Sequence, residues 1–361
     1  MVRDTKIAIL GGDGVGPEVT VEAMKVLEAT GHDFEFLEVD VGGKAYIEKG
    51  NPLPDDAREA VDESDAVLFG AVGHDYAPYG IPRKVLVYLR MEKNAYANVR
   101  PLKLYPGVRV LPDDSPYHGL DVIIVRDNSE GISIEHEGYL WDEKGVDKRV
   151  ITHYGAQRIA MFALKYATKL HRKKITCIDQ SNWMYSDKLF RSAFERLASM
   201  EKGMEFEGIS VDVAAMMQVS NPKRFDVMLT PDLYGDIISG VVIGQIGGVG
   251  MAPSSCIGED FAFFEPVHGT AWDIAGKNVA NPIASILSGK LMMEWLGFQE
   301  EADRIELAVS QVLIEGKVRT ADIGGSSKTN EVGDAIASYV ENSPNLYPED
   351  LIDLQDEVVV E

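Results

Sequence analysis

Apolar residues fall in short blocks separated by longer stretches with helical spacing. Lys6 to Leu10 is an apolar run, GGDGVGPEV follows, and Val19, Val21, Met24 and Val26 then mark an amphipathic stretch. That order predicts strand, glycine turn and helix. Ala66 to Phe69 ends in GAVG, and Asp121 to Val125 ends in the polar stretch Arg126 to Gly131, each bounded like a buried parallel strand. Tyr154 to Leu170 and Ser186 to Ser199 carry helical periodicity, whereas Lys174 to Ile178 and Phe225 to Leu229 read as strands. Alternation of this kind favours an α/β fold. Gly324 to Ser327 is a small-residue loop before a last helix, and the pattern stops after Val340. Residues 342–361 read as an acidic C-terminal extension, draped on the surface or disordered.

Composition narrows the class. With 361 residues, 45% of them hydrophobic, the chain has enough apolar content for a folded protein with one or two cores. A formal charge of −23 repels phosphate backbones and anionic lipid surfaces, so nucleic acid and membranes are poor partners. The apolar stretch from Gly240 to Met251 is glycine-broken and far below the roughly 20 residues that span a bilayer. The N-terminus enters a strand-like run at once without a long apolar leader, which reads as a cytoplasmic protein. Cys177 and Cys256 suit neither a disulfide framework nor a zinc motif and are expected to be core thiols.

Several segments carry groups suited to chemistry. GGDGVGP at 11–17 lacks the third glycine of G-x-G-x-x-G, Pro17 standing there, so it reads as a tight turn before a helix at least as well as a phosphate site. EPVHGTAWDIAGKNVANP at 265–282 sets His268, Asp273, Lys277, Asn278 and Asn281 among small residues that let a flat ligand approach the backbone. Arg90 and Arg100 lie in LRMEKNAYANVRP, and Arg126 follows the strand ending at Val125, where open α/β sheets place ligands. Such arginines serve equally as solvated ion-pair partners or as a carboxylate clamp. Arg83 and Lys84 are surface charges or readers of a further carboxylate. Asp232 and Asp236, four apart in TPDLYGDIISG, share one face of a helix, compatible with a hard divalent ion, although capping explains Asp232 after Pro231 as well. Asp212 joins them only if the fold or a second subunit brings it close.

The ordered motifs GDGVGPEV, LRMEKNAYANVRP, IVRDNSEG, TPDLYGDIISG and EPVHGTAWDIAGKNVANP resemble the β-decarboxylating dehydrogenase family from about residue 5 to 340. That family includes isopropylmalate, isocitrate, homoisocitrate and tartrate dehydrogenases. The resemblance implies a two-domain α/β fold of the isopropylmalate/isocitrate dehydrogenase type, whose cofactor site is not a standard Rossmann crevice. Residues 1–100 and 250–341 would form the cofactor domain, and 101–249 would carry substrate and metal groups and the dimer contact. The implied reaction is oxidation of a 2-hydroxy di- or tricarboxylic acid with NAD or NADP and Mg²⁺ or Mn²⁺, followed by decarboxylation. Arg90, Arg100 and Arg126, with Arg83 nearby, would bind substrate. Asp236 and Asp212 would hold the metal, Asp212 supplied by the partner subunit of a homodimer. Glu265, His268, Gly269, Asp273, Asn278 and Asn281 would line the cofactor site, and Asp273, which repels a 2′-phosphate, points to NAD.

Three positions depart from that pattern. Where the family has D-K-x-N, this chain has Asp179, Gln180, Ser181 and Asn182, and a glutamine cannot accept the hydroxyl proton, so a contribution of about 10²–10⁴-fold lacks its usual agent. The family tyrosine that protonates the enolate is deleted or replaced by Ser133, with Tyr139 and His136 as nearby substitutes. G-D-I-x-S-D becomes Gly235 to Gly240, losing a carboxylate that Asp232 restores only in part. Gln180, Ser133 and Asp212 are therefore the candidate catalytic residues. Two classes of function remain open: an NAD-linked dehydrogenase with altered base, acid and substrate, or a non-catalytic ligand-binding or regulatory homologue. Cationic Arg83 and Lys84 point to a substrate with a further carboxylate, while Leu86 points the other way.

Overall fold

Strand and helix alternate from the first described residues, as the periodicity predicts. The protein is represented by a computed structural model that describes residues 5–73, 77–78, 80–109, 112, 115–132 and 137–342. In chain order the elements are β1 (Thr5–Gly12), α1 (Gly16–Glu28), β2 (Phe34–Glu38), α2 (Gly42–Lys49), α3 (Asp55–Glu63), β3 (Ala66–Ala71), α4 (Lys84–Val87) and β4 (Ala97–Lys103). There follow β5 (Asp121–Asp127), a hairpin of β6 (Glu137–Trp141) and β7 (Lys144–Lys148), α5 (His153–Lys169), β8 (Lys174–Asp179), α6 (Tyr185–Ala198), β9 (Glu205–Ser210) and α7 (Val211–Ser220). The last are β10 (Val227–Thr230), α8 (Asp232–Gln245), β11 (Pro253–Ile257), β12 (Ala262–Pro266), α9 (Ile283–Leu296), α10 (Gln299–Glu315) and α11 (Thr329–Asn342).

Apart from the β6–β7 hairpin, the strands form one sheet in the order β2-β1-β3-β12-β11-β4-β5-β10-β8-β9. β2, β1, β3 and β12 are parallel, as are β5, β10, β8 and β9. Between them β12–β11, β11–β4 and β4–β5 pair antiparallel. The two parallel blocks thus run in opposite directions, which separates this sheet from a doubly wound nucleotide-binding sheet with a single switch point. β3 and β11 are buried along their whole length, as strands covered on both faces must be. One correction concerns β5: the ladder continues past Val125 to pair Asn98 with Arg126 and Ala97 with Asp127, so Arg126 lies within the strand rather than beyond it.

The glycine turn at 11–17 proves to be a packing device. The amides of Asp13, Val15 and Gly16 donate to the carbonyls of Ala71, Thr270 and Asp13, leaving these three without a donor for phosphate. Gly14 has φ +64°, and a Cβ there would stand 1.9 Å from the Thr270 carbonyl oxygen. Asp13 is buried and accepts from the amides of Gly43 at 2.7 Å, Lys44 at 2.9 Å and Gly73 at 2.9 Å. Its carboxylate caps the start of α2 from a distance, satisfying donors that the helix cannot. Ser133, His136 and the extension from Ser343 lie outside the described residues.

Candidate active site

Three arginines come together where β4, β5, β12 and α8 meet. Arg100 and Asn98 lie two apart on β4 and so share a face; Arg126 lies on the neighbouring strand. Arg90 sits in a widened helical turn after α4, where the Lys93 amide donates to the Tyr88 carbonyl at 3.0 Å, one residue further back than in an α-helix. Arg126 donates from Nη2 to Asp232 at 2.5 Å and to Asp236 at 2.7 Å, from Nε to the Asp232 carbonyl at 2.8 Å, and from Nη1 to Asn128 at 3.2 Å. Arg100 meets Asp236 at 2.8 Å and Arg90 meets Glu265 at 3.1 Å. Asp232 and Asp236 indeed occupy one face of α8, and Gly235 lets Arg126 cross that face, because a Cβ there would lie 2.6 Å from its Cγ.

The cluster retains unused cationic capacity. Arg90 Nε and Arg100 Nε are buried with no hydrogen-bond partner. Burial, followed by the charge of neighbouring Arg126, lowers the Arg100 pKa from its ordinary value, while Asp236 works the other way. A polyanionic ligand would relieve both conditions. Asn98 and Asn128 donate to the Cys256 thiol at 3.1 and 3.4 Å, and that thiol faces Glu265 at 3.5 Å. Burial pushes the Cys256 pKa up to about 12, so it remains a thiol rather than a nucleophile. Arg83, partly buried ahead of α4, makes no ion pair among the described residues.

Gln180 and Asp212 form a separate group. Asp212 is exposed in the first turn of α7; its pKa is lowered by hydrogen bonds from Ser210, from its own and the Val213 amides, and from the Gln180 side chain. Asp236 is half-exposed, whereas the Asp232 side chain is fully buried against Arg126. No cluster of three acidic, histidine or cysteine side chains able to hold a metal forms among the described residues. Asp212, Asp232 and Asp236 are therefore not assembled within one copy. Gly240 is exposed one turn beyond Asp236, with open space around it. Tyr139 stacks on Trp141 on the exposed hairpin.

The 265–282 loop divides by burial. Glu265 belongs to the arginine cluster. His268 donates from Nδ1 to the Gly269 carbonyl, its buried Nε2 is unpartnered, and burial lowers its pKa, keeping the ring neutral. Asp273 is exposed, and its main-chain carbonyl accepts from Lys277. Asn278, at φ +55°, pairs with Asn330, while buried Asn281 donates to Asp322 and accepts from the Ile283 amide at the start of α9. The last two asparagines thus shape the loop. Trp272 fastens it to the Gly73 carbonyl at 2.8 Å.

Residues 6–336 match the isocitrate/isopropylmalate dehydrogenase family. The chain belongs to that family. It is 41% identical over 342 residues to the 3-isopropylmalate dehydrogenase of Methanothermobacter thermautotrophicus, covering 94% of this chain and 100% of that one. It is 39% identical over 345 residues to the homoisocitrate dehydrogenase of Methanocaldococcus jannaschii, covering 93% and 97%. The crystal structure of isocitrate dehydrogenase from Methylococcus capsulatus matches with a TM-score of 0.86 at 35% identity over 93% of this chain and 99% of that one. The motif resemblance and the fold that it implies are borne out, and this family member is a dehydrogenase of that class. Among the described residues no helix is long and apolar enough to cross a membrane.

Sequence reasoning missed two sets of residues. Asn98, Asn128 and Cys256 form the polar floor under the arginines; the i, i+2 relation of Asn98 to Arg100 is the signal that places the first. Asp187 and Arg149 gave no signal because they pair with each other 38 positions apart.

Proposed function

We propose that this dehydrogenase oxidises a 2-hydroxy di- or tricarboxylic acid of the isocitrate, homoisocitrate, 3-isopropylmalate or tartrate class with NAD and Mg²⁺ or Mn²⁺, working as a homodimer. The observation that carries this reading is the convergence of Arg90, Arg100 and Arg126 with two buried Nε donors unspent. Substrate carboxylates would take over from Asp236 and Glu265 as the arginines' counter-charges, freeing Asp236. Hard oxygen donors suit Mg²⁺ or Mn²⁺, which keep water ligands and need only one or two carboxylates besides the substrate. Asp236 and Asp212 of a second copy fit that role; Asp232 does not while Arg126 holds it. The neutral, unpartnered His268 Nε2 and exposed Asp273 fit NAD, and the Asp273 charge disfavours a 2′-phosphate.

When bound, NAD supplies the hydride acceptor and the divalent ion polarises the hydroxyl group. The chain's own residues then bind and orient. The arginines fix the carboxylates, and Gln180 holds the hydroxyl by a hydrogen bond without taking its proton. Residues 1–100 and 250–341 would form the cofactor domain, and 101–249 the substrate, metal and dimer domain. Exposed Met216 and Val219 on α7 and Leu233 and Ile237 on α8 support a subunit contact beside Asp212 and Asp236. Catalysis at a cytoplasmic location completes this reading.

Gln180 in place of a proton-accepting lysine supports the second reading, a ligand-binding homologue without turnover. Calorimetric titration with malate-type acids in the presence of Mn²⁺ tests the arginine assignment common to both. Wild type is expected to bind, and Arg100→Ala to lose at least tenfold in affinity while NAD binding is kept. Equal affinity in Arg100→Ala removes the proposed clamp.

A further inference from the structure

Gln180 is anchored with unusual care for an uncharged residue in a loop. Its amide donates to Asp187 Oδ2 at 2.8 Å, and its carbonyl accepts from the amides of Trp183 at 3.1 Å and Met184 at 3.0 Å. Asp187 is wholly buried and meets Arg149 Nη1 at 2.5 Å. Arg149 directly follows the β6–β7 hairpin, is itself almost fully buried, also donates to the Ser186 hydroxyl at 3.2 Å, and lies 5.1 Å from the centre of the Tyr234 ring. Tyr234 stands on α8 between Asp232 and Asp236, and its hydroxyl reaches Met184 Sδ at 3.2 Å. On the other side of Gln180, Asp179 is buried, accepts from the Ser181 amide at 2.9 Å and pairs with Arg191 at 2.8 Å.

A buried ion pair is a poor source of stability, because removing two charges from water offsets most of their attraction. Arg149 adds to that cost, since its Nε and Nη2 are buried without partners. What the pair does achieve is geometric. Asp187 has one oxygen on the hairpin's base and the other on the Gln180 amide, so the two segments cannot shift independently. We infer that Asp187, held by Arg149, is a positioning residue that fixes the Gln180 backbone, and with it the direction of the Gln180 side chain, coupling the seating of the β6–β7 hairpin to the catalytic loop. The inference rests on the reading that Gln180 contacts the reacting hydroxyl.

The coupling has a measurable form. Asp187→Asn keeps an oxygen that accepts from the Gln180 amide, whereas Asp187→Ala removes it. In Asp187→Ala, kcat is expected to fall at least tenfold with the hydroxy-acid KM changed less than threefold, and Asp187→Asn paired with Arg149→Gln, which leaves no buried charge, should recover most of the loss. In a Gln180→Ala background the Asp187→Ala change should have no further effect on kcat. Additive losses in that background would overturn the positioning role. If Gln180→Ala by itself leaves kcat unchanged, the role of Gln180 fails, and the inference with it. Hydrogen exchange of the Gln180 amide gives an answer independent of turnover: exchange should quicken at least tenfold in Asp187→Ala and return to the wild-type rate in the paired neutral variant. Unchanged exchange in folded Asp187→Ala contradicts the inference. Thermal unfolding of each variant identifies any that fails to fold, and the paired neutral variant then carries the comparison.

Discussion

Arg126 and Arg100 both meet the acidic face of α8, yet their environments assign them different consequences on removal. Arg126 is a counter-ion of fully buried Asp232, so Arg126→Ala removes a cation paired with a carboxylate inside the protein. Loss of one partner of such a pair costs about 3–5 kcal/mol, which denaturant unfolding of Arg126→Ala should detect. Arg100→Ala leaves Asp236, which is half-exposed and can be hydrated, so its unfolding midpoint should change far less. Equal destabilisation by the two substitutions would contradict this division. The arginines were legible as residues because they lie in the motifs that carry the family resemblance. Their counter-ions were only half legible: the i, i+4 spacing places Asp232 and Asp236 on one face, but nothing in it says that Asp232 is buried and Asp236 open. That distinction arises from Gly235 admitting Arg126 across the helix.

Within β5, alternation sends Arg126 toward the site and Asp127 to the opposite face. Asp127 is buried there, accepting from the Ser129 amide at 2.9 Å and hydroxyl at 2.8 Å. Burial nevertheless dominates and pushes its pKa up to about 6. An unfolded aspartate titrates near about 4. Below that value both states hold the proton; between about pH 4 and 6 the folded state keeps it and the unfolded state loses it, so this group's contribution to stability falls as pH rises through the window and levels off above. Asp127→Asn should remove that component, which unfolding free energies at about pH 4 and about pH 6, the two ends of the window, can test; an unchanged difference between the two would contradict it. The regular elements were legible because β1, α1, α5, α6 and β8 each bury one continuous pattern. The β6–β7 hairpin was not: Tyr139, Leu140 and Trp141 expose their side chains, so apolar residues there do not mark a core within one copy.

For the whole molecule, strand order was the least legible feature. The antiparallel insertion of β11 and β4 between two parallel blocks joins residues far apart in the chain, Cys256 and Asn98 being 158 positions apart, and local periodicity carries no such information. The site is likewise split. Gln180 and Asp212 stand together, Arg126 and Asp236 stand together, and the proposed homodimer unites them. Co-expressed chains carrying Asp212→Ala and Asp236→Ala should therefore regain turnover in mixed dimers, where one of the two shared sites is intact, although each homodimer is inactive. No recovery would place each metal site within a single copy.

Turnover by the purified protein tests the central claim most directly. With Mn²⁺ present, 3-isopropylmalate, homoisocitrate, isocitrate and tartrate are offered in turn with NAD or NADP, cofactor reduction is followed by absorbance, and the keto acid and CO₂ are identified. Reduction of NAD in preference to NADP by at least one of these acids, lost on chelation of the metal, is the predicted result. Tight binding of hydroxy acid and NAD with no cofactor reduction would contradict it and leave the chain as a binding homologue.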